Sequence, residues 1–154
     1  MRLHLLRHAE PLLFSNNSQD KTRELAQSGR NQCERLRGQL SRDWSNTALW
    51  CSTATRTLQT MRHSLDISSF HEVHLLDDLY NASLTSLLAF LSDTAHSNDV
   101  FIIGHNNGLS EMLLYFTDLP IMMQTGHYVC IDFLIDQWQE TSRGLGSLAA
   151  EFVP

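Results

Sequence analysis

The stretch DVFIIGH, Asp99 to His105, decides how the rest of the chain is read. Val100 to Ile103 are apolar without a break, too short a run for a helix and too continuous for a strand with one wet face. The segment therefore reads as a strand buried on both sides. On its N-terminal side SLTSLLAFLSDTA (83–95) carries Leu84, Leu87, Leu88 and Leu91 along one helical face behind a Ser83 cap. On its C-terminal side NNGLSEMLLYFTDL (106–119) aligns Leu109, Leu113 and Phe116 as a second helix.

The same alternation extends to both ends. Residues 2–7 read as a buried strand, 9–24 as a polar loop, and Cys33, Leu36 and Leu40 give a helix from Ser28 through about 41. TALWCS (47–52) is a strand, TRTLQTMRHSL (55–65) a helix with Leu58, Met61 and Leu65 on one face, and HEVHLL (71–76) a strand. HYVCIDFLI (127–135) is β-rich, and a weak last strand lies at 148–152. Strands separated by helices predict an α/β fold, a three-layer α/β/α arrangement with a largely parallel sheet. Such sheets bind ligands beyond the carboxyl ends of their strands. LLRH, WCS and IIGH each put polar groups at such an end, so His8 and His105 are expected across one pocket despite their separation in sequence.

Composition narrows the function. The 154 residues suit one domain, 1–154, and are 42% hydrophobic and 18% charged, ordinary values for a folded chain. A net charge of -6, from 17 acidic and 11 basic side chains, argues against gripping nucleic acid or an anionic membrane by bulk charge. No apolar run is long enough to span a bilayer and the start carries no signal-peptide pattern, so a cytoplasmic location is expected. Cys33, Cys51 and Cys130 are widely spaced in apolar or helical surroundings and read as reduced structural thiols. His4, His63, His71, His74 and His96 fit no metal spacing, and His71 and His74 are expected to be exposed. His127 reads as structural.

The polar strand ends suit phosphoryl chemistry. A phosphoryl group presents several anionic oxygens, which planar arginine forks meet bidentately. Arg7 closes the first strand, Arg56 begins the helix after the second, and Arg23 in the long loop offers a third cation. An imidazole among these cations is kept neutral and nucleophilic. Attack on phosphorus would divide hydrolysis into two displacements through a phosphohistidine. A second, protonated histidine would stabilise charge on the equatorial oxygens.

Four segments together resemble one family. LHLLRHAE, with Arg-His after the first strand, is similar to the signature of the histidine phosphatase superfamily, which includes phosphoglycerate mutase-like enzymes and acid phosphatases. DKTRELAQSGRNQCERL resembles the following segment of the small bacterial phosphohistidine phosphatases through Asp20, Arg23, Leu25 and Gly29. CSTATRTLQT resembles the Ser-x-x-x-Arg-x-x-x-Thr segment through Ser52, Arg56 and Thr60, and VFIIGHNNGLSEML resembles the second-histidine segment. Each motif is weak alone, and their order gives them weight.

The resemblance implies a phosphoglycerate mutase-like fold with a largely parallel mixed sheet, His8 as phosphoryl acceptor, and Arg7 and Arg56 as phosphate clamp. It further implies His105 as the second catalytic histidine and Arg23 as a further phosphate contact. Many members also carry a carboxylic acid that protonates an ester's leaving oxygen, and here LLDDLYNAS offers Asp78, ahead of Asp77. Both aspartates also read as turn residues before a helix. The implied chemistry requires no metal or cofactor. Its leading substrate is phosphohistidine on a protein. The alternatives are a small phosphate ester, with Asp78 as acid, and a non-catalytic phosphoprotein-binding module.

Overall fold

The DVFIIG segment lies at the centre of the sheet. In the computed structural model, which describes residues 1–14, 19–93 and 99–154, the elements run β1 (Arg2–Arg7), α1 (Gln27–Gln39), β2 (Trp44–Ser52), α2 (Thr55–Ser64), β3 (Phe70–Leu76), α3 (Leu84–Asp93), β4 (Asp99–Gly104), α4 (Gly108–Thr117), β5 (Tyr128–Asp132) and β6 (Ser147–Phe152). Residues 15–18 of the expected loop, the 94–95 end of the expected helix, and His96 fall outside the described residues. The strand order is β3-β2-β4-β1-β5-β6. β3, β2, β4 and β1 pair in parallel, while β5 and β6 add an antiparallel edge. The sheet is thus mixed and largely parallel.

Period-two alternation sorts the buried strand residues onto two faces. Leu3, Leu5, Val100, Ile102, Val129 and Ile131 point to one side, where Leu87 and Leu91 of α3 and Leu109, Met112, Leu113 and Phe116 of α4 cover them. Leu6, Leu49, Cys51, Phe101 and Ile103 point to the other, against Leu36 of α1 and Met61 of α2. Helix layers on both faces explain why β4 has no polar alternate position. Ser83 Oγ accepts from the Ser86 backbone N–H at 3.2 Å, capping α3 as its sequence suggests.

Two expectations need adjustment. The strand over 127–135 ends at Asp132, and the Phe133 N–H bonds instead to the Met1 carbonyl at 2.9 Å. His74 is half-buried rather than exposed, because its ring stacks on Trp50 with centroids 3.9 Å apart. Among the described residues, no helix is long and apolar enough to cross a membrane.

The topology sets the site at the carboxyl ends of β1, β2 and β4. α4 descends from β4, and the loop 118–127 climbs back, so β5 must enter the sheet antiparallel. That loop locks the end of β1: the Arg7 N–H bonds to the His127 carbonyl at 3.0 Å, and the Gly126 N–H to the His8 carbonyl at 3.0 Å. On the other side the His8 N–H reaches the Gly104 carbonyl at 3.1 Å. The chain beyond β1 is held by α1, whose Gly29 lies so near Glu10 that a Cβ there would sit 2.2 Å from its carbonyl oxygen.

Candidate active site

His8 and His105 do meet. Their rings lie 5.2 Å apart between centroids, and both residues are buried. The two are held differently. His8 Nδ1 lies 2.8 Å from the Ala9 carbonyl oxygen. A carbonyl can only accept, so Nδ1 carries the ring proton and Nε2 is left with its lone pair. Burial, followed by the charges of Arg56, Arg7 and Arg23, lowers the His8 pKa to about 4, overriding the opposing effect of the Ala9 bond. The ring is neutral at physiological pH, with its lone pair on Nε2.

His105 adopts the opposite tautomer. Arg56 Nη2 lies 3.2 Å from His105 Nδ1, and because a guanidinium only donates, Nδ1 must accept. The proton sits on Nε2, which donates to Ser52 Oγ at 2.9 Å. Burial, then the neighbouring His8 and Arg56, lowers its pKa to about 3. The protonated second histidine expected from the sequence is therefore not the resting state, because Arg56 fills the position that a proton on Nδ1 would need.

The Ser52, Arg56 and Thr60 spacing now has a physical meaning. Ser52 ends β2 and Arg56 stands in the first turn of α2. Thr60 lies one turn later on the same helical face. Ser52 and Arg56 both hold His105, while Thr60 Oγ1 accepts from the Ala9 N–H at 3.0 Å and donates to the Arg56 carbonyl at 2.7 Å. One motif thus ties the β4 histidine to the segment following the β1 histidine.

The cations converge as well. Arg7 Nη1 is fixed by the Met123 carbonyl at 2.8 Å. Arg56 is buried, with a side chain 5% exposed, and Asp20 is its counter-charge: Nη2 to Asp20 Oδ2 is 2.9 Å, and Nη1 donates to the Asp20 carbonyl at 2.7 Å. A buried guanidinium needs such compensation. Arg23 reaches the other Asp20 oxygen at 2.9 Å and donates through Nε to the Leu12 carbonyl at 2.8 Å. Among the described residues, the buried Nε–H groups of both Arg7 and Arg56 have no partner. Unpaired buried donors are costly, and two of them on arginines beside two imidazoles suit an oxyanion.

The acidic residues divide. Asp77 bonds to Lys21 and Thr53. Asp78 is exposed, and among the described residues no hydrogen bond or ion pair holds its carboxylate. It lines a cavity of about 570 Å³ with Trp50, Leu76, Leu79, Ala82, Ser86, Phe90 and Asp93. The carboxylate in contact with the arginines is that of Asp20. Tyr80 also belongs here, donating its hydroxyl to Asp20 Oδ2 at 2.6 Å and standing edge-on to His105, centroids 5.3 Å apart. Its local sequence carries no mark of this beyond its place just after a turn at a strand's carboxyl end. Cys51 is excluded as a nucleophile, since burial pushes its thiol up to about 12. His127 is buried, with Nε2 2.9 Å from Glu151 Oε1.

The chain belongs to the histidine phosphatase superfamily, branch 1, whose model matches residues 3–87, and is thereby a histidine-dependent phosphatase. Arg7, His8, Asp20, Arg23 and Arg56 fall within the match, and His105 beyond it. Solved structures similar over nearly the whole chain confirm the fold. A protein of Agrobacterium tumefaciens assigned as the phosphohistidine phosphatase SixA is 22% identical with a TM-score of 0.77, covering 99% of this chain and 97% of its own. The protein histidine phosphatase SixA in complex with tungstate is 19% identical at TM-score 0.73, covering 98% and 96%. The α-ribazole phosphatase of Shigella flexneri is 20% identical at 0.65, covering 96% of each chain. No curated protein matches the sequence.

The histidines also predict an acid weakness. His4, His8, His105 and His127 all have pKa values lowered by burial, to about 3, 4 and 3 for the first three. Below pH ~6.5 the unfolded chain binds protons at these rings that the folded chain refuses, so stability falls as pH falls from ~6.5 to ~4. Carboxylate protonation adds to this mainly below ~4. The thermal midpoint should drop by several degrees between pH 7 and pH 4.5, and a flat profile over that range would show the rings to be solvated.

Proposed function

We propose that the protein hydrolyses phosphohistidine on a protein through a covalent phosphohistidine at His8, with residues 1–154 acting as one catalytic domain. His8 Nε2 attacks phosphorus while the bond from phosphorus to the substrate imidazole breaks. The leaving imidazole departs with its electron pair and takes a proton from water. Water then attacks the phosphoryl group on His8, the second phosphorus–nitrogen bond breaks, and orthophosphate leaves. Arg7 and Arg56 hold the phosphoryl oxygens, and Arg23 adds charge at the rim. His105, once a dianion lies beside it, gains affinity for a proton and stabilises the transferring group.

The observation that carries the substrate class is the state of the carboxylates. Asp20 is held below the ordinary carboxylate range, first by the Tyr80 hydroxyl and then by Arg23 and Arg56. Asp77 is lowered too, by Lys21 and Thr53. Both are ionised at neutral pH and have no proton to give an alkoxide, and Asp78 lines a cavity that neither histidine nor either clamp arginine borders. An ester's leaving oxygen needs that proton far more than an imidazole does. This favours a phosphorus–nitrogen bond as the one cleaved, and the likeness to the protein histidine phosphatase SixA supports a protein as its bearer.

Side-by-side turnover tests the reading. Phosphohistidine on a phosphotransfer protein should be hydrolysed with a kcat/KM at least ~100-fold above that for any member of a panel of phosphate esters, the scale of a missing general acid. Ester turnover that matches it and collapses in Asp78→Asn would establish the small-ester enzyme instead. Binding of the phosphoprotein without turnover would establish the binding module.

A further inference from the structure

Asp20 is placed unusually for a residue whose only task is to neutralise Arg56. Its two carboxylate oxygens and its carbonyl take one N–H from Arg23, two from Arg56 and the Tyr80 hydroxyl, at 2.6 to 2.9 Å. Three oxygens around convergent donors are also what a phosphoryl group presents. The two sides of the contact differ in freedom. The Arg56 side chain is 5% exposed and Arg23 is tied to the Leu12 carbonyl, whereas the Asp20 side chain is 47% exposed on the short turn Asp20–Thr22. The carboxylate can rotate into water without disturbing the core. The Arg56 guanidinium is enclosed, and that of Arg23 is held through its Nε.

We propose that Asp20 is an internal competitor of the phosphoryl group: its carboxylate occupies Arg23 and Arg56 in the free enzyme, yields them to the entering group, and retakes them as orthophosphate leaves. The inference rests on the reading of this site as the place of phosphoryl transfer. An entering dianion brings the buried Arg56 guanidinium the counter-charge that Asp20 gives up, so the exchange never leaves that cation uncompensated. A clamp of three arginines with no resident anion would instead hold its product tightly. Asp20 also keeps Arg56 aimed at His105, and Tyr80 keeps Asp20 aimed at Arg56, so the competitor positions the clamp that it occupies.

Titration calorimetry with inorganic phosphate distinguishes competition from simple support. Asp20→Asn and Asp20→Ala should bind orthophosphate about tenfold tighter or more, the scale on which a nearby like charge acts. Both should also show a lowered kcat with a lowered KM and a burst of released substrate histidine, because product release has slowed. Tyr80→Phe, which keeps the charge but loosens its anchor, should shift orthophosphate affinity less and in the same direction. If Asp20 merely supports Arg56, both Asp20 variants bind orthophosphate more weakly, and the proposal is overturned. Unchanged affinity overturns it as well. Acid-quenched labelling of His8 in the wild-type protein, run in parallel, judges the phosphohistidine route separately, since orthophosphate binding needs no turnover.

Discussion

His8→Ala is expected to lose phosphatase turnover by at least ~10³-fold, the order seen when a covalent nucleophile is removed. The reason lies in the tautomer. Nδ1 is committed to the Ala9 carbonyl, so Nε2 is the ring's available lone pair, and the ring stays neutral down to about pH 4. His105 cannot replace it, because Arg56 occupies its Nδ1 and its Nε2 carries the proton given to Ser52. Quenching the wild-type reaction and mapping acid-labile phosphate should place the label on His8. The His8→Ala protein should carry none, while a thermal midpoint near that of the wild type reports an intact fold. Wild-type turnover by His8→Ala would sink the covalent route.

Arg56→Lys should cost roughly 10²- to 10³-fold in kcat/KM, as expected for losing a preorganised donor to developing negative charge. Charge is kept in this substitution, so a large loss would come from geometry. An ammonium has no fork with which to span the Asp20 carbonyl, the Asp20 carboxylate and His105 Nδ1 together. With Nδ1 released, the His105 tautomer is no longer fixed and the hydrogen bond to Ser52 weakens. The loss should be shared between kcat and KM. Less than a tenfold effect would mean that Arg56 supplies charge alone.

Much of this is legible in the sequence. The α/β layering followed from β4, because a strand covered on both faces has no polar alternate residue to hide. Helical spacing exposed the faces of α2, α3 and α4 for the same local reason. Arg7, His8 and His105 stood out because polar groups at the end of a buried strand are a chemical anomaly that the strand itself defines, and Arg56 because it opens the helix directly after such an end. Asp78 illustrates the limit. It and Asp77 are adjacent acids after β3, indistinguishable by type, and only the turn over 77–79 sends one toward Lys21 and Thr53 and the other toward Trp50 and Phe90. Asp20 matched a family segment, yet its link to Arg56 spans thirty-six residues of sequence.

By itself, then, the sequence determined the layer order, the strand ends that hold chemistry, and the residue types that meet phosphate, since burial and period are properties of contiguous segments. The tertiary structure alone decided the antiparallel edge, the opposed tautomers of His8 and His105, and the carboxylate that sits in the arginine clamp. Each of those depends on donors and acceptors brought within about 3 Å by segments far apart in the chain, a distance that no local pattern encodes.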